Sequence, residues 1–123
     1  MVVSRDRAAA RMIEILDAPF LRALTEPARL ELLRVLIVNG PGDIGAIAER
    51  MPQDRSVISR HLKTLEDAGI VRGQRQGRHR IYAVDGAAFV ATLEGILAET
   101  KTLAAVCCPP VEDIVPVDRL RRR

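Results

Sequence analysis

Between Ile70 and Val84 the apolar pattern of the chain stops following a helix and follows a strand. Before Gly69 the apolar residues recur three and four positions apart, and after Asp85 they do so again. Inside the interval, Ile70 to Arg75 and Arg78 to Val84 read as two strands joined at Gln76-Gly77, a β-hairpin. A lone hairpin cannot bury a face of its own. It must lean on helices to either side, which restricts the chain to a mainly α domain carrying one hairpin.

The helices before the hairpin are marked by their caps and breaks. Ser4 caps a first helix to about Asp17, with Ala9, Met12, Ile13 and Leu16 at helical spacing. Phe20, Leu21 and Leu24 form a short apolar turn. Thr25 then caps a second helix with Pro27 in its first turn, and Leu30, Leu33, Val35, Leu36 and Ile37 give it a broad apolar face. Asn39-Gly40-Pro41-Gly42 stops it. Asp43 caps a short third helix with Ile44, Ile47 and Ala48. Pro52 breaks the chain, and Asp54 caps a fourth helix that buries Val57, Ile58, Leu62 and Leu65. Gly69 suits the left-handed position that closes it. After the hairpin, Asp85 caps a long last helix to about Val106, where Phe89, Leu93, Ile96, Thr100, Leu103 and Cys107 form a heptad-like seam. The expected order is α-α-α-α-β-β-α, a winged helix-turn-helix. Residues 1–108 form the folded domain, and 109–123 form a flexible basic tail behind Pro109-Pro110.

Composition removes several function classes. The 123 residues hold three aromatics, Phe20, Phe89 and Tyr82, so the core is aliphatic and a base-stacking surface is excluded. Two cysteines cannot build a disulfide framework, which suits a reducing compartment. No apolar run approaches the ~18 residues of a membrane span. The first residues lack the apolar segment of a signal peptide. A cytoplasmic protein without membrane contact is expected.

Charge is concentrated. The whole chain carries +3. From Arg50 to Tyr82, eight basic residues stand against Asp54, Glu66 and Asp67, a balance of +5. Arg55, Ser56, Ser59, Arg60 and Lys63 lie on the polar side of the fourth helix, where Arg and Ser can read base edges in a major groove. Arg75, Arg78 and Arg80 on the hairpin suit phosphates or an adjacent minor groove. Arginines grouped on a short helix and its hairpin are what a DNA duplex requires of a partner.

Three segments then resemble a known family. Leu21 to Leu36 reads LRALTEPARLELLRVL, Arg55 to Arg72 reads RSVISRHLKTLEDAGIVR, and Gly73 to Tyr82 reads GQRQGRHRIY. In order and spacing they look like ArsR/SmtB-type transcriptional repressors, over about Phe20 to Val84. The resemblance implies a homodimer that binds double-stranded operator DNA and leaves it when an inducer, often a metal ion or metalloid, binds. It puts Arg55, Ser56, Ser59, Arg60 and His61 on or beside the DNA-reading helix and makes Gly77 the wing turn. The family's Cys-Val-Cys sensing positions are Asp43 and Gly45 here, and no histidine follows His79 to build its last-helix zinc site.

Cys107 and Cys108 remain as the candidate inducer site. Thiolates select soft ions such as As(III) or Sb(III). No cofactor is required. As(III) prefers three sulfurs, so a third donor must come from the partner chain or a small thiol. Two other readings stay open: Cys107 as a small core residue beside an incidental neighbour, and a redox-responsive dithiol hindered by the strain of a vicinal disulfide. Dimerisation through the first and last helices is expected to bury Phe89, Leu93, Ile96 and Leu103 with Met12, Ile13 and Leu16. The rival classes are a winged-helix protein-interaction module that does not bind DNA and a thiol oxidoreductase. The latter lacks Cys-X-X-Cys spacing, so an enzyme is not expected.

Overall fold

Four carboxylate or hydroxyl caps set the starts of four helices, as their sequence positions imply. Ser4 accepts from the Arg7 N–H at 3.2 Å, Asp43 from Ala46 at 2.8 Å, Asp54 from Val57 at 3.1 Å and Asp85 from Ala88 at 3.1 Å. Each satisfies a helix N–H that has no backbone partner. The computed structural model describes residues 4–113. Its order is α1 (Arg5–Leu16), α2 (Pro19–Ala23), α3 (Pro27–Asn39), α4 (Ile44–Ala48), α5 (Arg55–Asp67), β1 (Val71–Gln76), β2 (His79–Val84) and α6 (Gly86–Cys107), then a 3₁₀ turn at Val111–Asp113. Residues 114–123 of the expected tail, with Arg119, Arg121, Arg122 and Arg123, lie outside the described residues.

Three local expectations are corrected. The apolar stretch at Phe20 is a five-residue helix, α2, started by Pro19. Thr25 does not cap α3. Its hydroxyl donates to the Arg22 carbonyl at 2.7 Å and closes α2, while Glu26 occupies the cap position without a side-chain bond. The hairpin turn is Gly77-Arg78, because Gln76 pairs with His79. Gly77 has φ +63°, and a glycine first in a two-residue turn fits type II′, whose twist matches the strands.

The hairpin is fastened at three places. At its base, Gly42 and Tyr82 exchange backbone hydrogen bonds at 3.0 and 2.9 Å, tying the α3–α4 loop to β2. At the end of α5, Gly69 at φ +76° lets the Gly69 and Ile70 N–H groups bond the Glu66 and Leu65 carbonyls, each at 2.9 Å. That Schellman closure turns the chain directly into β1 and buries Ile70 against Leu65. The Asp85 N–H then bonds the Ile70 carbonyl at 2.9 Å and fixes where α6 departs.

The main core is aliphatic. Leu32 of α3, Ile47 of α4, Ile58, Leu62 and Leu65 of α5, and Ile70 are fully buried. The α3 face is narrower than expected: Leu32, Leu33, Val35 and Leu36 are buried while Leu30 and Ile37 are exposed. Val57 is half-buried. The two phenylalanines meet, Phe20 of α2 and Phe89 of α6, with ring centroids 5.2 Å apart.

A second, smaller cluster joins α1 to α6 through Ala8, Ile15 and Leu103. The heptad-like seam of α6 therefore turns inward. Phe89 and Ile96 pack on the main core, and Leu103 packs on α1 of the same chain. Leu93 of that seam stays in solvent with Val90 and Leu97 on α6, and Ile13 and Leu16 of α1 are exposed as well. Of the residues assigned to a dimer interface, Phe89, Ile96, Leu103 and Met12 are thus already partnered within the chain. No helix among the described residues is long and apolar enough to cross a membrane.

Candidate nucleic-acid interface

The apolar side of α5 fixes which of its residues can meet a ligand. With Ile58, Leu62 and Leu65 buried, Arg55, Ser56, Ser59, Arg60 and Lys63 emerge on the opposite side, exposed. Two of them are engaged locally. The Ser56 hydroxyl donates to the Asp54 carboxylate at 2.6 Å, and Lys63 pairs with Asp67 at 3.3 Å. The Ser56 hydroxyl and then the Val57 N–H hold the Asp54 carboxyl below the usual carboxylate range. Ser59 and Arg60 carry no side-chain hydrogen bond or ion pair among the described residues. Arg55 likewise has no such bond, so these three are free to reach a partner.

His61 is half-buried. Its Nδ1 stands 3.4 Å from Nη1 of Arg29, a residue of α3 that sequence reasoning did not single out. Burial first, and then the Arg29 charge, push the imidazole below its ordinary pKa.

The wing presents its basic residues unequally. Arg75 and Arg78 are exposed near the turn, and Arg75 Nε reaches the Gly77 carbonyl at 3.4 Å. Arg80 is tied down. It donates to Glu66 of α5 at 2.6 Å, lies 5.7 Å from the centre of the Tyr82 ring and crosses the face of Gly73, whose own N–H bonds the same Glu66 oxygen at 3.3 Å. The Glu66 hydrogen bond raises the Arg80 pKa further. Arg80 is thus a strut between the wing and the end of α5. On the other side of the wing, His79 Nδ1 meets Asp43 at 2.9 Å. The Ala46 N–H, with lesser help from His79 and Arg55, holds the Asp43 carboxyl low.

These contacts enclose an open cleft of about 330 Å³ between α4, α5 and the wing, lined by Asp43, Gly45, Arg55, Arg78, His79 and Arg80. Of the predicted basic residues, Arg55 of the helix and Arg78 and Arg80 of the wing meet in this cleft. Glu66 and Asp43 were missed as partners. Their pairings join different elements, and neither leaves a periodic trace in the sequence.

The candidate thiol site lies at the end of α6. The sulfurs of Cys107 and Cys108 are 3.1 Å apart. Cys107 packs against the α1–α6 cluster, while Cys108 is exposed. Hydrogen bonding between the sulfurs holds the Cys108 thiol above its ordinary pKa. Arg5 of α1 donates to the Cys107 carbonyl at 3.3 Å. Two adjacent thiols can take one soft ion, but no group of three or more His, Cys, Asp or Glu side chains with metal-site geometry occurs among the described residues.

The chain is similar in sequence and fold to known proteins. A family model described as HVO_A0114 matches residues 24–86. The HTH-type transcriptional regulator NmtR of Mycobacterium tuberculosis is 37% identical over 67 residues, 54% of this chain and 55% of NmtR. A "Probable mercury resistance operon repressor" of Streptomyces lividans is 33% identical over 93 residues, 74% of each chain. Among solved structures, an ArsR-like transcriptional regulator from Rhodococcus sp. RHA1 superposes with a TM-score of 0.60 at 32% identity, covering 79% of this chain and 92% of that one. The chain thus spans little more than half the length of NmtR.

Proposed function

This chain belongs to the ArsR/SmtB family of winged helix-turn-helix transcriptional regulators, a family of regulators and not of enzymes, and on that premise we propose that it is a homodimeric repressor of its operator. One observation carries the DNA reading. Helix α5 is anchored by three fully buried side chains, and its exposed Arg55 lines one cleft with Arg78 of the wing, which also stands beside exposed Arg75. A rigid helix offering arginine and serine matches major-groove readout, and the wing arginines match the flanking backbone. The second copy follows from the uncovered apolar stripe of Val90, Leu93 and Leu97 with Ile13 and Leu16, which pairing of α1 and α6 between chains would cover. Each half-site would then lie about one helical turn, ~34–36 Å, or a multiple, from the other.

The inducer reading rests on Cys107 and Cys108. Two sulfurs 3.1 Å apart suit a thiophilic ion such as As(III) or Sb(III). A third sulfur would come from the partner chain or a small thiol. Arg5 and the Ala8–Ile15–Leu103 cluster link the site to α1, so an occupant there can change how α1 and α6 pack. A rival reading, a regulator without thiol chemistry, draws on the half-buried place of Cys107 in that same cluster. A mobility-shift assay on the upstream promoter fragment separates the two. As(III) or Sb(III) is expected to release the wild-type protein and not Cys107→Ser/Cys108→Ser, which still binds DNA. A double variant that is still released contradicts the thiol-sensor reading.

A further inference from the structure

The side chain of Arg29 is held unusually well for an arginine on a surface helix. It stands in the first turn of α3, just past Pro27, and folds back over the end of α2. There the Arg22 carbonyl already accepts from the Thr25 N–H and hydroxyl, while the Ala23 carbonyl has no helical partner. Arg29 Nε donates to the Ala23 carbonyl at 2.7 Å, and Nη2 reaches the Arg22 carbonyl at 3.4 Å. One edge of the guanidinium fork, Nε with Nη2, is thereby held. The remaining nitrogen, Nη1, faces Nδ1 of His61 on α5 at 3.4 Å.

A guanidinium has donors and no acceptor. The contact is favourable only if Nδ1 offers a lone pair, which leaves the ring proton on Nε2. A ring protonated at both nitrogens would set two cations against each other. We propose that Arg29 is a positioning residue of the DNA-reading helix, fixing His61 as the neutral Nε2–H tautomer so that α5 carries a defined N–H donor next to Arg60. The charges around the ring agree in sum. Partial burial opposes its protonation most, then the Arg29 charge; Glu26 favours it, and Arg60 opposes it. The tautomer follows from the protein alone. That the Nε2–H serves DNA rests on the operator-binding reading given above.

Nitrogen-15 NMR of the full-length protein tests this directly. At neutral pH the wild type is expected to show His61 protonated on Nε2 and bare on Nδ1, titrating below the ordinary histidine value of 6.5. In Arg29→Gln the midpoint is expected to rise and the single tautomer to give way to a mixture. A wild-type ring protonated on Nδ1, or one that titrates at the ordinary value, overturns the proposal without reference to any variant. On an operator duplex, His61→Leu removes the donor and is expected to weaken binding about ten-fold. An intact Nε2–H tautomer together with unchanged operator binding by His61→Leu overturns the link to DNA. Failure of the wild type to bind any duplex instead contradicts the operator reading itself.

Discussion

The reading head and the α1–α6 pair are built to opposite standards of completeness. The head, α2 to β2, closes around fully buried Leu32, Ile47, Ile58, Leu62, Leu65 and Ile70. Its polar ties, Arg80–Glu66 and His79–Asp43, join separate elements across its surface. The α1–α6 pair rests on a cluster of Ala8, Ile15 and Leu103, fastened by the Arg11–Glu99 ion pair and the Arg5 bond to Cys107, and leaves Ile13, Leu16, Val90, Leu93 and Leu97 in solvent. The head closes its core as a single chain, with Leu30, Ile37 and Val38 of α3 left exposed at its edge; the helix pair has only a small core of its own. Rigidity is thus placed where a duplex would be read, and adaptability where the proposed second copy and inducer would act.

Substitutions can break that contrast. The largest effect on folding is expected inside the head. Leu62→Ala should cost about 2–5 kcal/mol in urea unfolding, because the side chain is fully buried and its neighbours can collapse only partly. Leu93→Ala, at a site 42% exposed, should cost far less in the isolated chain. If the two losses are equal, the difference in completeness is wrong.

The next effect is on assembly. Leu93→Glu with Leu97→Glu should convert a dimer to monomer in sedimentation velocity while leaving the far-ultraviolet circular dichroism unchanged. Unaltered sedimentation of a dimer would remove the α6 stripe from the interface. For the head, Arg60→Ala should cost about 1–3 kcal/mol of operator affinity and relax sequence preference, read by titration against operator and scrambled duplexes. An equal loss on both would make Arg60 a phosphate contact only.

Two smaller effects concern the ties. Glu66→Gln should lower stability by less than about 1 kcal/mol, since the Arg80–Glu66 pair is partly exposed, yet it should loosen the wing in hydrogen exchange. Unchanged wing protection would contradict the strut. His61 has a folded-state pKa below its unfolded value, so the unfolded chain takes up a proton first. Its share of stability is complete above about pH 6.5 and declines as pH falls below that value. His61→Gln should remove that part of the acid dependence in urea titrations at several pH values.

Much of this was legible in the sequence where the cause is local. Asp54 and Asp85 lie three residues before the N–H groups they cap, and Gly77 marks the turn by its lack of a side chain. Helix α2 was missed because five residues show no full apolar period. Thr25 looked like a cap, but its hydroxyl serves the helix behind it. Spacing identified Phe89, Ile96 and Leu103 as one face of α6 without saying which neighbour that face meets. In the fold these three meet their own chain, while Leu93 of the same seam stays exposed. Arg80 was grouped with the DNA-side arginines because its partner Glu66 is 14 residues away on another element. Arg29 escaped for the same reason: its partners are the end of α2 and His61, 32 residues on.

The central claim is that the basic head binds a duplex through its phosphates and bases. Fluorescence anisotropy on the upstream promoter fragment, repeated over a series of salt concentrations, measures this most directly. The account predicts that log K falls linearly and steeply with log salt, because each phosphate neutralised by arginine releases counterions, and that the slope flattens in Arg75→Ala/Arg78→Ala. An affinity that does not fall with salt, or a slope the double substitution leaves unchanged, would contradict it.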